Sequence, residues 1–164
     1  MQDSMQANAA REWDAWRDAG RAALVSGSAA SVATAATLAI GGVVEGNDPL
    51  TPMNGPSQWV WGRRAAHARD RSVRHTLMGY AIHHATSVMW ATLFERLRSM
   101  RPGATSTVAA AAATSALAYV VDYKVVPQRL QPGFDVQASR TTLAAFYVAF
   151  AAALAAASWS RRRP

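Results

Sequence analysis

Residues 76–121 read TLMGYAIHHATSVMWATLFERLRSMRPGATSTVAAAAATSALAYVV, two charge-free runs, 76–94 and 102–121, parted by Glu95, Arg96, Arg98, Arg101 and the breaker pair Pro102-Gly103. Each run is close to the ~20 residues with which a helix crosses the hydrocarbon of a bilayer. The connection is too short for anything but a reversal, so the two runs are expected to be antiparallel neighbours. Outward from this pair, 22–44 and 141–160 also lack Asp, Glu, Lys and Arg. The four windows hold half of the 164 residues and none of the 17 basic and 10 acidic ones. The mean hydropathy of −0.03 conceals this segregation. Helices of a soluble bundle keep a charged or strongly polar face toward water, and none of these windows has a charged one. The expected fold is therefore all-α: an integral membrane, antiparallel four-helix transmembrane bundle over residues 22–164, behind a leader over residues 1–21. The third window is the least apolar of the four in character, since Ala, Ser and Thr dominate it and Leu117 is its only leucine.

In the leader, Met5, Ala9, Trp13, Trp16, Gly20 and Ala23 recur at steps of three or four, with Arg11, Asp14, Arg17 and Asp18 elsewhere on the wheel. That spacing predicts an amphipathic helix lying in the interface, its two tryptophans at the headgroups. Its acidic residues are unlike the basic start of a signal peptide, and the first window is read as a retained helix. Gly27, Ser31, Ala35 and Ala39 in that window, and Ala145, Ala149, Ala153 and Ala157 in the last, form columns of small residues that favour close helix approach. Pro49, Pro52 and Pro56 break the segment after the first window, which ends in Trp59 and Trp61. Trp59, like Trp13, Trp16, Arg161, Arg162 and Arg163, is assigned to the lipid interface. Basic residues divide almost evenly between the two sides. The juxtamembrane triplet Arg161–Arg163 and the short 96–101 loop favour cytoplasmic termini in a multi-pass protein of the bacterial inner membrane.

Arginine outnumbers lysine sixteen to one beside abundant alanine, a pattern that GC-rich coding produces unaided. The net charge of +7 lies at window ends, which fits anionic lipid and excludes a nucleic-acid face. Without cysteine there is no disulfide, thiolate metal site or cysteine nucleophile. No Ser-His-Asp spacing, Walker A, GxGxxG or HExxH occurs, so the chain is read as leaning away from an enzyme.

His83 and His84 fall in mid-window, where an ionisable side chain is read as functional by default. On a helical wheel Gly79, Ser87 and Trp90 group with His83 and Tyr80 with His84, while Met78, Ile82, Met89 and Leu93 gather opposite. Both rings are therefore expected to face the bundle. They could bind haem iron or a transition metal, pass a proton, or simply hydrogen-bond to Ser115 or Thr114 at similar depth on the next helix. Asp122 shares a face with Ser115, Ala118 and Tyr119, and is expected to be buried and paired with a tyrosine or a base: Tyr80, His75, Lys124 or Arg140. With Glu45 and Arg74 these residues are expected to form a mixed-charge cluster under the Pro-rich loop, either structural or a vestibule for a polar ligand.

Three stretches, NGPSQWVWG at 54–62, GYAIHHA at 79–85 and VDYKVVPQRLQPGF at 121–134, resemble an uncharacterised family of small bacterial four-span inner-membrane proteins. The resemblance covers about residues 45–140. It implies that Asn often stands at the position of His83 and His at that of Gln58, which argues against a paired-histidine cofactor site and moves interest to His84, Trp61 and Asp122. It implies no activity. The expected function is a non-enzymatic membrane protein without a cofactor, either an accessory subunit of a homo-oligomer or larger membrane complex, or a small-solute or proton pathway. The alternative is a haem- or metal-binding protein using His83 or His84.

Overall fold

Residues 2–44 contain no proline, and the junction between leader and first window, Ala19-Gly20-Arg21-Ala22-Ala23, offers no cap or turn. They form one unbroken helix, α1 (Gln2–Val44), in the computed structural model, which describes residues 2–161. The separate interfacial leader is thereby corrected: a continuous helix cannot lie in the membrane plane over one half and cross it over the other. The leader's apolar spacing has the period of the first window and simply prolongs it. Trp16 and Trp13 stand about 9 and 14 Å beyond Ala22 along the axis, at 1.5 Å per residue, and Arg162 and Arg163 lie outside the described residues.

Three more long helices follow: α2 (Met78–Met100), α3 (Ala104–Val120) and α4 (Arg140–Ser160). No strand occurs among the described residues. Ser72 accepts from the His75 backbone N–H (3.2 Å) to start a wide π-type turn, Val73–Leu77, that leads into α2. A second such turn, Val121–Val125, prolongs α3 and carries Asp122. Ser139 caps α4 by accepting from the Thr142 N–H at 3.1 Å. Helices α2 and α4 each run antiparallel to α1. Along α1 and α2, Gly27 lies on Val88 and Ser31 meets His84, while along α1 and α4, Gly41 faces Thr142 and the Ala22 carbonyl accepts from Arg161.

Beside an apolar core, the surface carries many large apolar side chains and the interior many small polar ones. Leu24, Val25, Val32, Ile40, Val43, Met89, Val108, Leu117, Val120 and Val148 face outward, while Ser26, Ser31, Thr34, Ser87, Thr107, Thr114 and Ser115 are buried. Apolar surface pays no penalty against lipid, and small polar groups let backbones close up. Three helical segments are long and apolar enough to cross a membrane: Ser4–Val44, Ala104–Val125 and Arg140–Ser160. Helix α2 has the length but falls below that level of apolarity, because His83 and His84 sit in the middle of its window. The alanine column expected on α4 is displaced: Thr142, Phe146, Phe150 and Leu154 face the core, and Ala145 is exposed. Phe150 and Leu154 join Phe94, Ala23, Ala30 and Ala91 in one core cluster, and Phe146 joins Leu38, Met53 and Phe134 in another, nearer the loops.

Candidate functional site

The segments 45–77 and 126–139 fold against each other as a cap over one end of the helices. Asn54, fully buried, donates through Nδ2 to the carbonyls of Ala68 (2.8 Å) and Asp70 (3.1 Å) and accepts from Thr76 Oγ1 (2.7 Å). It ties the short 3-10 helix Thr51–Ser57 to the entry of α2. Gln58 Nε2 (2.6 Å) and Trp59 Nε1 (3.2 Å) both donate to the Gln131 carbonyl, and Gln137 Nε2 donates to the carbonyls of Ala66 (2.7 Å) and Ala68 (3.0 Å). Glycine is required at two crossings. A Cβ on Gly79 would lie 1.8 Å from the Met53 carbonyl oxygen, and one on Gly55 would lie 2.7 Å from that of Pro132. The stretches 54–62, 79–85 and 121–134 therefore meet in space. Met53 and Phe134 reach from the cap into the bundle, where Phe134 stands edge-on to His83 at 5.6 Å.

The structure places both histidines against α1, a correction to the expected partners Ser115 and Thr114. His83 Nε2 lies 3.0 Å from Thr34 Oγ1 and 3.2 Å from the Ser31 carbonyl, and His84 Nδ1 lies 3.2 Å from Ser31 Oγ. The reason is steric. Gly27 lets α1 approach until an added Cβ would be 2.6 Å from Val88 Cα, so the Gly79, His83, Ser87 face of α2 turns to α1. Since a carbonyl only accepts, the neutral His83 ring carries its proton on Nε2, and Nδ1 is left as an acceptor. Ser115 instead donates to the Tyr147 carbonyl on α4 at 2.6 Å. Among the described residues no three His, Asp or Glu side chains converge as a metal-ligand set.

Between α2, α3, α4 and the cap lies a cavity of about 240 Å³. Ile82, Trp90, Ala118, Val121, Phe146 and Phe150 make most of its wall, and Pro132 and Phe134 belong to its roof. The polar groups are His83, Thr86, Ser87, Asp122 and Tyr147. Asp122 Oδ2 accepts from the Tyr147 hydroxyl at 2.8 Å. Thr86 and Ser87 spend their hydroxyls on backbone carbonyls of their own helix. Having donated, these hydroxyls and that of Tyr147 can still accept, as can His83 Nδ1 and the second Asp122 oxygen, so the polar side of the lining is chiefly acceptors, with the Trp90 indole N–H as a donor beside them. Tyr147 is the Asp122 partner that the sequence reading missed; its spacing on α4 looks like ordinary core, and the signal was only that Asp122 needed a donor on some other helix.

In place of the expected mixed-charge cluster, Glu45, His75 and Asp122 each take a separate local partner. Glu45 accepts from the Ser139 N–H (3.2 Å) and from Thr142 Oγ1, and these hydrogen bonds hold its carboxyl below the ordinary 4.5. Arg71 holds Asp48 below its usual range, and Ser72 and His75 do the same for Asp70. Arg74 lies over the Trp61 ring at 4.7 Å, while Trp61 Nε1 donates to the Arg74 carbonyl (3.0 Å). Tyr80 tilts against both histidine rings, and Tyr119 stands edge-on to Tyr147 at 5.3 Å. At the opposite end Glu95 is 1% exposed and accepts from Arg98 (2.7 Å) and from Arg161, so Arg161 is a structural partner there. Arg96 binds Glu12 at 2.7 Å and lies 5.8 Å over Trp16, tying the outer part of α1 to the end of α2.

No family model, curated protein or solved structure matches this chain. Its function is therefore argued from the cavity itself.

Proposed function

We propose that this chain is a small integral membrane protein, an antiparallel four-helix transmembrane bundle, that binds a small lipid-soluble molecule carrying hydrogen-bond donors in the cavity between α2, α3 and α4. The observation that carries this reading is the cavity: about 240 Å³, walled by aromatic and aliphatic side chains, with acceptors that include His83 and Asp122. An apolar hollow with a few convergent polar groups is the usual form of a small-molecule site. Its size suits a single substituted ring; an engineered cavity of roughly 150 Å³ already takes benzene. A hydroxyl or amine on that ring answers those acceptors. The polar groups comprise acceptors and a tyrosine without an aligned nucleophile, which supports a binding role, as an accessory subunit or part of a small-solute pathway, over catalysis. Haem or metal ligation by His83 gains no support from a ring whose Nε2 is directed to Ser31 and Thr34.

The outward leucines and valines and the buried serines and threonines support the bilayer as solvent. We place the protein in the bacterial inner membrane with residues 2–21 and the α2–α3 turn on the cytoplasmic side, where Arg96, Arg98, Arg101 and Arg161 would meet anionic lipid. Phenol and toluene, titrated against detergent-purified protein by ligand-observed NMR, test the site. Phenol should bind more tightly than toluene, Asp122→Asn should narrow the difference, and Ala118→Leu should abolish both by filling the cavity. Equal binding of both probes to wild type and to Ala118→Leu would overturn the assignment.

A further inference from the structure

Tyr147 has a second side. Beyond it an open groove of about 800 Å³ runs between α3 and α4 on the outside of the bundle. Its length is lined by Ala112, Ala116, Ala144, Val148 and Ala151, small or smooth side chains at helical spacing. At the cap end it meets Lys124, on the wide turn after α3, and Arg140, the first residue of α4. Neither cation takes part in any of the ion pairs among the described residues. Asp135 is the single carboxylate at this mouth, so two positive charges face one negative. Tyr119 and Tyr123, with ring centres 5.6 Å apart, form a shelf beside the cations.

We propose that this groove holds one anionic phospholipid, its phosphate between Lys124 and Arg140 and one acyl chain along the alanine-lined floor. The proposal rests on the membrane reading above and is independent of the small-molecule cavity. Three features fit one amphiphile: the floor is apolar and opens to the side where α3 and α4 show Val108, Leu117, Val120 and Val148; the cations stand at the ends of two membrane-length segments, at headgroup level; and tyrosines favour that same depth. A second helix is a poorer occupant, because it would meet two unpaired cations with no phosphate to answer them.

Protein delipidated in neutral detergent would be titrated with dioleoyl phosphatidylglycerol and read by native mass spectrometry, with dioleoyl phosphatidylcholine and inorganic phosphate as separate probes. One phosphatidylglycerol should be retained per chain, phosphatidylcholine at least tenfold more weakly, and inorganic phosphate not at all. Lys124→Gln and Arg140→Gln should each weaken retention about fivefold, consistent with one basic contact apiece. Ala144→Trp should block the chain while leaving the thermal midpoint of the protein unchanged. Arg129→Gln, which removes a cation outside the groove, is the control. Equal retention of both lipids, or an equal loss in the Arg129 variant, overturns the lipid site; inorganic phosphate binding alone reduces it to an ion site and does the same. A protein that stays monodisperse without any detergent would overturn the membrane reading, a distinct result.

Discussion

Helix α2 meets α1 on one side and α3 on the other, and the two seams differ in kind. The partner reached through the long segment 45–77 is packed so closely that Gly27 has no room for a methyl group. The partner joined by Arg101-Pro102-Gly103 shares a cavity with α2 near the cap. Closeness in the chain thus fixes direction and order but does not set how tightly two helices pack. What sets it is side-chain size: glycine, serine and threonine on the α1 seam, Ile82, Trp90 and Val121 where α2 and α3 line the cavity. A seam without bulk can close and spend its polar groups across the gap, as His83 does on Ser31 and Thr34.

The largest effect is expected where the tight seam ends. Glu95 is buried against Arg98 and Arg161, and its replacement by alanine strands two guanidinium groups at the junction of α1, α2 and α4. Glu95→Ala should cost about 3–5 kcal/mol, measured by reversible unfolding in mixed micelles; a loss below 1 kcal/mol would show that the seam does not need its clamp. Next comes a matched pair of substitutions. Gly27→Ala forces α1 away from Val88 and should cost about 1–3 kcal/mol, whereas Ala118→Val grows into the cavity and should change stability by less than about 0.5 kcal/mol. Equal costs would erase the distinction between the two seams.

His83 sharpens it further. His83→Ala removes an interhelical hydrogen bond and its ring, and about 1–2 kcal/mol is expected; His83→Asn keeps a donor for the Ser31 carbonyl and should recover about 0.6 kcal/mol of that loss, the usual size of such bonds in membranes. If the two variants unfold alike, the hydrogen bond contributes nothing. The smallest effect is a pH dependence at the cap. Glu45 titrates below its ordinary 4.5 when folded, so its share of stability is complete above that value and fades as pH falls through and below it. Asp48 and Asp70 act with the same sign. The unfolding midpoint should be level from pH 8 to about 5.5 and decline below about 4.5, with a shallower decline in Glu45→Gln.

The long helices were legible because charge segregation and the Pro102-Gly103 reversal depend only on local chemistry. That Asp122 would need a donor was legible too, since a carboxylate among apolar residues must find one. Which donor was not: Tyr147 lies on another helix, at a height fixed by the register of α3 against α4, and no short-range pattern encodes register. The junction at residue 21 was misjudged for a different reason. A change from charged to uncharged composition marks a change of surroundings, and a helix can pass through that change unbroken. The cap was hidden for a third reason. Asn54 and Gly55 look like turn formers, and their burial follows from what the distant Gln131-Pro132-Gly133 segment brings to them.

The unbroken α1 has a mechanical consequence. Forty-three helical residues span about 64 Å, roughly twice the thickness of bilayer hydrocarbon. With residues 22–44 in the bilayer, residues 2–21 stand as a mast about 30 Å tall, braced up to about half its height where Glu12 and Trp16 meet Arg96. Anything attached near Gln2 is held at a set height and compass bearing. One residue inserted at the mast's midpoint would turn that bearing by about 100° while raising it only about 1.5 Å.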